Sequence, residues 1–324
     1  MVGAPSRRKD SGDDAASPVR LVGLYSVVAR EKRAQGTVYV KHYLPGPFRA
    51  EDSVLEKRCA READVIRRLP DVPHLRGRLG RLELVEHEPA RLRLVTKEAA
   101  GVALQQALVG SRPDRRPGIA KALILAGRWI RAFQELPVAR GDDSPIGDID
   151  PPDLLDYCDI RLRNLRERGY RWLNEARRSE ILAAVARLRG EADEDDRRRV
   201  WSHRDYHPGN VLWDGKAVTA IDFAMAGLDV PLADVTYFIH RLEMQRVYRP
   251  WRRRPTRRWK RAFLRGYGRP DAESAAMYRL LMIRHLICRL LTYATRPPRD
   301  SVQHAHNIYV RAVVRSKLMR LCRP

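Results

Sequence analysis

The segment from residue 203 to residue 222 constrains the fold more than any other part of this chain. It reads His-Arg-Asp-Tyr-His-Pro-Gly-Asn over 203–210, and a second aspartate, Asp222, follows after a short apolar stretch. Apolar residues flank the string at 200–201 and 211–213, which indicates a loop held between buried strands. Asp, Asn, Pro and Gly are also common in solvated turns, so one aspartate alone would carry little information. The complete string predicts a loop that presents two carboxylates and an amide at one site.

These three side chains suit the transfer of a phosphoryl group from ATP. That reaction needs an acceptor hydroxyl aimed at the γ-phosphorus, and cations that neutralise the phosphate oxygens. Asp205 can accept the hydroxyl proton, while Asn210 and Asp222 offer the hard oxygen ligands that Mg2+ prefers. The spacing fits the H-R-D-x-x-x-x-N pattern of a kinase catalytic loop, with Asp222 as the second metal-binding carboxylate. We therefore predict a kinase that uses ATP and Mg2+.

The string His-x-Asp-x-His-Pro-x-Asn, followed by Ile-Asp-Phe, resembles the aminoglycoside phosphotransferase and choline kinase type of small-molecule kinase. The resemblance implies an α+β, two-lobe, protein-kinase-like fold. Its N-lobe would be a small antiparallel sheet with one helix, and its C-lobe would be larger and mainly helical. Asp205 would be the catalytic base, supported by His203. Asn210 and Asp222 would hold Mg2+, and Asp234 would tie the loop to the following helix.

Two departures from protein kinases point to a small acceptor. His207 and Pro208 stand where a lysine usually follows the catalytic aspartate by two residues. Beyond Asp222 there is no long activation segment, and the chain soon enters a helix-like run over 235–244. Such a short segment leaves no platform for a peptide, so we expect a small molecule or a saccharide with a hydroxyl as the acceptor.

The N-terminal part supplies the residues predicted to bind the nucleotide. Strand-like runs cover 19–30 and 37–43, and the second places Lys41 late in a β-branched and aromatic strand, as in kinase folds. A helical pattern follows over 50–69, in which Glu62 is the predicted ion-pair partner of Lys41 and Glu56 the alternative. No G-x-G-x-x-G loop precedes them, and Gly23 stands alone in the first strand region. This absence leaves a binding protein without catalysis as a competing hypothesis.

The next segments divide the chain into lobes. Residues 82–85 and 91–96 predict an antiparallel pair, and 97–101 predicts the hinge, where Glu98 is assigned to the nucleotide site. The predicted domains are a disordered tail over 1–17, an N-lobe over 18–98 and a helical C-lobe over 99–324. Further helices are predicted at 121–136, 153–168, 178–189, 277–293 and 302–321. The charged run 191–199 predicts a solvated turn.

A second, shorter resemblance concerns the bacterial lipopolysaccharide core kinases. It depends on the strings at 38–47, 61–63 and 94–98. It implies an alternative function as an envelope-sugar kinase at the inner membrane surface.

The chain is strongly basic, with 63 Lys and Arg against 40 Asp and Glu and a formal net charge of +23. The densest cluster, 249–261, interleaves arginines with tryptophans and prolines. It fits a loop packed on the helical lobe, an anionic membrane or glycolipid surface or, least favoured, nucleic acid. Abundant arginine on solvated faces would also explain the excess charge.

The remaining signals concern location and the acceptor. No N-terminal apolar stretch resembles a signal peptide, and the four cysteines form no Cys-x-x-Cys pair, so a cytoplasmic protein is expected, with peripheral membrane association as the variant. Asp148 and Asp150 suit a cleft for cationic amines, although a turn before a helix is the favoured interpretation.

Overall fold

The computed structural model describes most of the chain. The described residues are 20–22, 25–44, 51–110, 116–139, 154–248, 250, 255–295 and 297–323. The predicted tail over 1–17, the lone Gly23, and Asp148 and Asp150 lie outside them.

A five-stranded antiparallel sheet forms the N-terminal part. The strand order is β1-β2-β3-β6-β5, with β1 Arg20–Val22, β2 Ser26–Arg33, β3 Gly36–Tyr43, β5 Leu84–Glu88 and β6 Arg93–Lys97. The prediction of one strand over 19–30 was wrong, because the chain pairs with itself there and sets Arg20 opposite Ala29. Along β3 the side chains alternate. Val38 and Val40 pack with Val95 in a small separate core, while Lys41 and Tyr43 point to the other face.

Helix α1 (Asp52–Arg68) contacts strands β5 and β6 of this sheet. Leu55, Cys59, Ala63 and Ile66 recur at helical spacing and are buried. Glu62 lies among them and is only 2% exposed. A carboxylate buried to this extent needs charged or hydrogen-bonding partners, which the sheet supplies.

Two smaller sheets hold the loops of the site. One has the order β4-β10-β9-β7, and the other pairs β8 with β11; the strands are β4 Leu79–Gly80, β7 Val102–Ala103, β8 Val200–Ser202, β9 Val211–Trp213, β10 Val218–Ala220 and β11 Gly227–Asp229. The segment 203–210 therefore connects β8 to β9, and Asp222 follows β10. This arrangement brings the loop and the second aspartate to the same end of the strands.

Helices make up most of the remainder. They are α2 Leu104–Gly110, α3 Arg116–Phe133, α4 Leu154–Glu167, α5 Glu175–Glu191, α6 Glu194–Arg197, α7 Leu232–Tyr248, α8 Thr256–Tyr267, α9 Ala276–Thr295 and α10 Ser301–Cys322. This arrangement confirms the predicted α+β class. The lobe boundary at residue 98 stays a prediction.

The interior contains an aromatic cluster that reaches the catalytic loop. Trp129 on α3 stacks on Phe133 at 5.4 Å and on Tyr206 at 5.8 Å between ring centres. The Tyr206 hydroxyl donates to the carbonyl of Ala126 at 2.7 Å. Since Tyr206 directly follows Asp205, this core anchors the backbone beside the predicted base.

The charged run 191–199 is exposed as its composition predicted, except at Ala192 and Asp196. It contains the short helix α6, and Asp196 is 1% exposed. The guanidinium of Arg269 donates to this carboxylate. The sequence did not indicate this buried ion pair, because Arg269 lies far along the chain from Asp196.

Helices α3 and α8 approach each other backbone to backbone. A Cβ atom on Gly127 would lie 2.2 Å from the Phe263 carbonyl oxygen, and one on Gly266 would lie 2.0 Å from the Ile124 carbonyl oxygen. Only glycine fits at these two positions.

The described part of the basic cluster 249–261 lies mainly in α8. Trp259 is 4% exposed and Thr256 is buried, so this part packs on the helical core. It gives no support to a membrane or glycolipid surface. Residues 249 and 251–254 lie outside the described residues. Within the described part of the chain, no helix is both long enough and apolar enough to cross a membrane.

Candidate active site

Asp234 at the start of α7 fixes the beginning of the catalytic loop. Its carboxylate accepts from Ser202 Oγ at 2.9 Å, from the His203 backbone N–H at 2.7 Å and from that of Arg204 at 2.9 Å. Arg204 has φ 60, a left-handed conformation that costs energy in a residue other than glycine. Burial raises the pKa of Asp234 to about 7, and the donated hydrogen bonds oppose that rise. The contacts match the structural function implied for Asp234.

His203 connects the loop to the strand that precedes Asp222. It is fully buried, and burial lowers its pKa to about 4, so the ring is neutral. Its Nε2 lies 3.0 Å from the Ile221 carbonyl oxygen, which makes Nε2–H the donor. His203 thus supports the backbone on both sides of the site without facing the reacting groups.

Asp205 and Asn210 are brought together inside the loop. Asn210 Nδ2 donates to Asp205 Oδ2 and to the Asp205 carbonyl oxygen, both at 3.1 Å. Tyr237 on α7 also hydrogen-bonds to the Asp205 carboxylate. Although 36% of the side chain is exposed, desolvation raises the pKa of Asp205 to about 7, and the charge of Asp222 adds to this. A carboxylate with such a pKa can take up a proton near neutral pH.

His207 places a neutral donor next to this carboxylate. Its Nδ1 accepts from the Gly209 backbone N–H at 2.9 Å, so the proton lies on Nε2. That Nε2 is 3.7 Å from Asp205 Oδ1. Burial, with the nearby Arg241 charge, lowers the pKa of His207 to about 3. A Cβ atom on Gly209 would lie 2.6 Å from His207 Cε1, so the glycine is required for this ring position.

Lys41, Glu62 and Asp222 form the second half of the site. Lys41 Nζ lies 2.7 Å from Glu62 Oε2 and 2.7 Å from Asp222 Oδ1. Burial disfavours the charge of Lys41, but the carboxylates of Asp222 and Glu62 raise its pKa well above the ordinary value. Lys41 in turn lowers the pKa of Asp222. The alternative partner, Glu56, is exposed elsewhere on α1.

Glu62 is held by two further donors that the sequence did not indicate. The Phe223 backbone N–H donates to Glu62 Oε1 at 3.1 Å, and the Tyr43 hydroxyl donates to Glu62 Oε2. Tyr43 lies two residues beyond Lys41 on the same face of β3. That spacing is a signal that could have identified it.

Glu98 lies apart from this cluster. Its carboxylate pairs with Arg30 at 2.8 Å and accepts from the Tyr39 hydroxyl at 3.4 Å. Its backbone N–H donates to the Thr37 carbonyl oxygen at 3.0 Å. The Glu98 side chain is therefore engaged by residues of β2 and β3.

The oxygens of Asn210 and Asp222 suit a magnesium ion. The Asn210 amide nitrogen is used by Asp205, which leaves the amide oxygen available as a ligand. Mg2+ is typically bound by one or two protein oxygens, with water and substrate phosphates completing the shell. Among the described residues, no group of three or more His, Cys, Asp or Glu side chains is arranged to hold a metal ion. The donor set thus fits a metal that is shared with a nucleotide.

Comparison with known proteins gives the family. The model of the phosphotransferase enzyme family matches residues 23–278, which is most of the chain. The chain belongs to this family. The assignment confirms the predicted enzyme class, a small-molecule phosphotransferase of the kinase type. It also confirms the resemblance to the aminoglycoside phosphotransferase and choline kinase type. No curated protein matches the sequence.

Solved structures show the same fold for this phosphotransferase. A choline/ethanolamine kinase family protein from Mesorhizobium loti is 16% identical, with 95% of this chain and 91% of that chain covered and a TM-score of 0.59. An aminoglycoside phosphotransferase in ternary complex with ADP and hygromycin B is 15% identical, with 95% and 93% covered and a TM-score of 0.57. An amicoumacin kinase in complex with AMP-PNP, Ca2+ and Ami is 15% identical, with 93% and 88% covered and a TM-score of 0.57.

Proposed function

We propose that this phosphotransferase moves the γ-phosphoryl group of ATP to a hydroxyl of a small molecule, with Mg2+ as its metal ion. The observation that carries the proposal is the convergence of Lys41, Asp222 and Asp205 from distant parts of the sequence. Lys41 Nζ lies 2.7 Å from Asp222 Oδ1, and the Asp222 charge acts on Asp205. One site thus joins a phosphate-binding cation, a metal ligand and a base.

The chemical step uses these groups in fixed functions. The acceptor oxygen attacks the γ-phosphorus, the bond from the γ-phosphorus to the β–γ bridging oxygen breaks, and ADP leaves. Asp205 takes the hydroxyl proton. His207 Nε2–H, next to Asp205 Oδ1, donates a neutral hydrogen bond to an oxygen at the reacting centre. Such a preorganised donor stabilises charge that develops in the transition state.

On the nucleotide side, the side chains hold the phosphates in place. Lys41 would bind the α- and β-phosphates, while Glu62 keeps its ammonium group in position. Asn210 and Asp222 would hold Mg2+, which neutralises charge on the phosphate oxygens. The AMP-PNP and Ca2+ in the amicoumacin kinase structure support ATP and a divalent metal for this chain. Glu98 would contribute through the position of the hinge backbone rather than through its side chain.

The competing hypothesis is a binding protein without catalysis, suggested by the absence of a Gly-rich loop in the sequence. The described geometry favours the enzyme, because Asp205 is held by Asn210 and Tyr237 and not engaged by a cation within salt-bridge distance. A site that had lost catalysis would have no need of a base kept in this arrangement.

The test measures ADP formation from ATP with Mg2+, first with water and then with a panel of hydroxyl compounds. We expect Asp205→Asn to lower the rate about 100-fold or more, since a general base contributes factors of that order. AMP-PNP binding, measured by calorimetry, should persist in this variant. Asp195→Asn is the matched control, because Asp195 is exposed on α6. Full turnover by Asp205→Asn would refute the assignment of the loop.

A further inference from the structure

Arg241, whose charge acts on Asp205, and Arg289 have no carboxylate partner within salt-bridge distance in the part of the chain that the structure describes. Arg241 lies on α7 one turn beyond Tyr237, with its guanidinium carbon 6.0 Å from the centre of that ring. Tyr237 hydrogen-bonds to Asp205, so Arg241 lies beside the catalytic carboxylate. Arg289 lies on the facing helix α9, where its Nε is 3.4 Å from His240 Nε2. Both arginines are half-buried.

Apart from Asp205, the described surroundings of these arginines provide no compensating negative charge. Helix α9 has no acidic residue. The two acidic residues of α7 are engaged elsewhere, since Asp234 holds the catalytic loop and Glu243 pairs with Lys260 and Lys317. The region between α7 and α9 is therefore positively charged in the described structure.

The histidines between the two arginines add no charge of their own. The rings of Tyr237 and His285 lie 5.4 Å apart, and those of His285 and His240 lie 5.6 Å apart. Burial, with the charge of Arg289, lowers the pKa values of His240 and His285 well below the ordinary value. These two neutral rings lie between Arg241 and Arg289 and contribute polar groups without charge.

A half-buried guanidinium without an ion-pair partner is stabilised by an oxyanion. Its planar donors match carboxylate and phosphate oxygens in pairs, and such charge-assisted bonds are stronger than neutral ones. We propose that the acceptor carries a phosphate or carboxylate group besides its hydroxyl, and that Arg241, with Arg289, binds that group. This inference rests on the proposed function, because it assigns the acceptor of the same site.

The position on α7 and α9 favours the acceptor over the nucleotide as the ligand. The nucleotide side already has Lys41, which lies on β3 and is contacted by α1 and by the segment after β10. Arg241 instead reaches Asp205 from the α7 side, where the hydroxyl must lie. The acidic residues of 142–153, which would suit a cationic acceptor, lie outside the described residues. Binding of a cationic acceptor is therefore the result of the test that would contradict the proposal.

The experiment saturates the full chain with Mg2+ and AMP-PNP and then titrates inorganic phosphate, with chloride added to keep the ionic strength constant. Binding is followed by 31P line broadening and by thermal shift. Acetate forms the carboxylate arm, and ethanolamine forms the cationic arm. We expect phosphate or acetate to bind with a Kd on the order of 1–10 mM, since a few charge-assisted hydrogen bonds supply that affinity. Arg241→Gln should weaken the binding about ten-fold.

Arg246→Gln is the matched control, because Arg246 is an exposed arginine on the same helix. It should bind phosphate as the parent does. The proposal is overturned if neither anion binds, if Arg241→Gln binds as well as Arg246→Gln, or if ethanolamine alone binds. Mg2+-dependent hydrolysis of ATP by the parent is measured in parallel. Hydrolysis without anion binding refutes this inference alone, whereas anion binding with no ADP formation from either water or the panel of hydroxyl compounds refutes the proposed function.

Discussion

The proposed nucleotide side and the proposed acceptor side of the 203–210 loop differ in how their charges are compensated. On the nucleotide side, Lys41 lies 2.7 Å from both Glu62 and Asp222, so that each charge has a partner before any ligand binds. On the acceptor side, Arg241 and Arg289 lie next to aromatic and neutral histidine rings without a carboxylate partner among the described residues. The first side is arranged in advance, and the second depends on its ligand.

This difference indicates that the compensated cluster serves the chemical step and that the arginines determine selectivity for the acceptor. A compensated cluster keeps its geometry in the free protein, which suits groups that must act on every ATP molecule in the same way. A partly buried cation without an ion-pair partner discriminates between acceptors. Only an anionic group on the acceptor offsets the free energy that the cation loses when water is removed from it. Substitutions on the two sides should therefore have different kinetic signatures.

The largest expected effect breaks the nucleotide side at its metal ligand. Asp222→Ala removes a carboxylate that Lys41 contacts and that is proposed to hold Mg2+. We expect the rate of ATP turnover to fall about 1000-fold, the upper range for one preorganised electrostatic group. Calorimetry should show that Mg2+ no longer strengthens AMP-PNP binding. Asp271→Ala, at an exposed aspartate, is the control, and an Asp222→Ala variant that keeps Mg2+-dependent binding would contradict the assignment.

A second test asks whether Lys41 and Glu62 act as one unit. Lys41→Ala should lower kcat and raise the KM for ATP, with a loss of about 100-fold in kcat/KM. Glu62→Ala should act in the same direction but less strongly, since its carboxylate positions the lysine. If they act together, the double variant loses less than the product of the two losses. Purely multiplicative losses would mean that Glu62 does not work through Lys41.

Tyr43 permits a finer test of the same cluster. Tyr43→Phe keeps the ring and removes the hydroxyl that donates to Glu62. One hydrogen bond to a charged group is worth about 1.5–3 kcal/mol, so we expect roughly a ten-fold or larger rise in the KM for ATP. Tyr39→Phe is the matched control, because its hydroxyl donates to Glu98 outside the cluster. Equal effects of the two substitutions would show that Glu98 matters as much as Glu62.

The smallest effect concerns stability on the acceptor side. The pKa values of His240 and His285 are lowered in the folded protein, so the unfolded chain binds more protons below about pH 6.5. Acid therefore favours unfolding, by up to about 1.4 kcal/mol per pH unit for each histidine. Urea unfolding at pH 7, 6 and 5 should show this loss, and His285→Gln should reduce its slope by about one proton. The same slope in His285→Gln and in a control at exposed His304 would contradict the prediction.

The sequence predicted the nucleotide side better than the acceptor side, for a physical reason. Lys41 and Glu62 lie in a strand and a helix whose periods show which face is buried, and the catalytic loop is continuous in sequence. Tyr237, Arg241 and Arg289 come from helices whose mutual orientation no local pattern specifies. The burial of Asp196 could not be predicted for the same reason, since its partner Arg269 follows much later in the chain.

The error in the first strand has a local origin. No cluster of turn residues interrupts the apolar residues of 19–30. The single glycine, Gly23, was the only sign that the strand ends there. Two short strands and one long strand have the same alternation, so the pattern could not separate them. Only the pairing of β1 with β2 decides between the two.

The contact between Gly127 and Gly266 fixes the C-terminal part of α8, whose first turns carry the described basic residues of the cluster 249–261. Because the helix backbones touch there, α8 can neither rotate nor slide without a collision of carbonyl groups. In a library of all single substitutions, almost no replacement of these two glycines should therefore be tolerated. The exposed arginines on the first turns of α8 should vary freely in the same library. Helix α8 thus combines a backbone contact that requires glycine with an exposed basic surface that tolerates substitution. Changes in that surface charge leave the packing of the helical core intact.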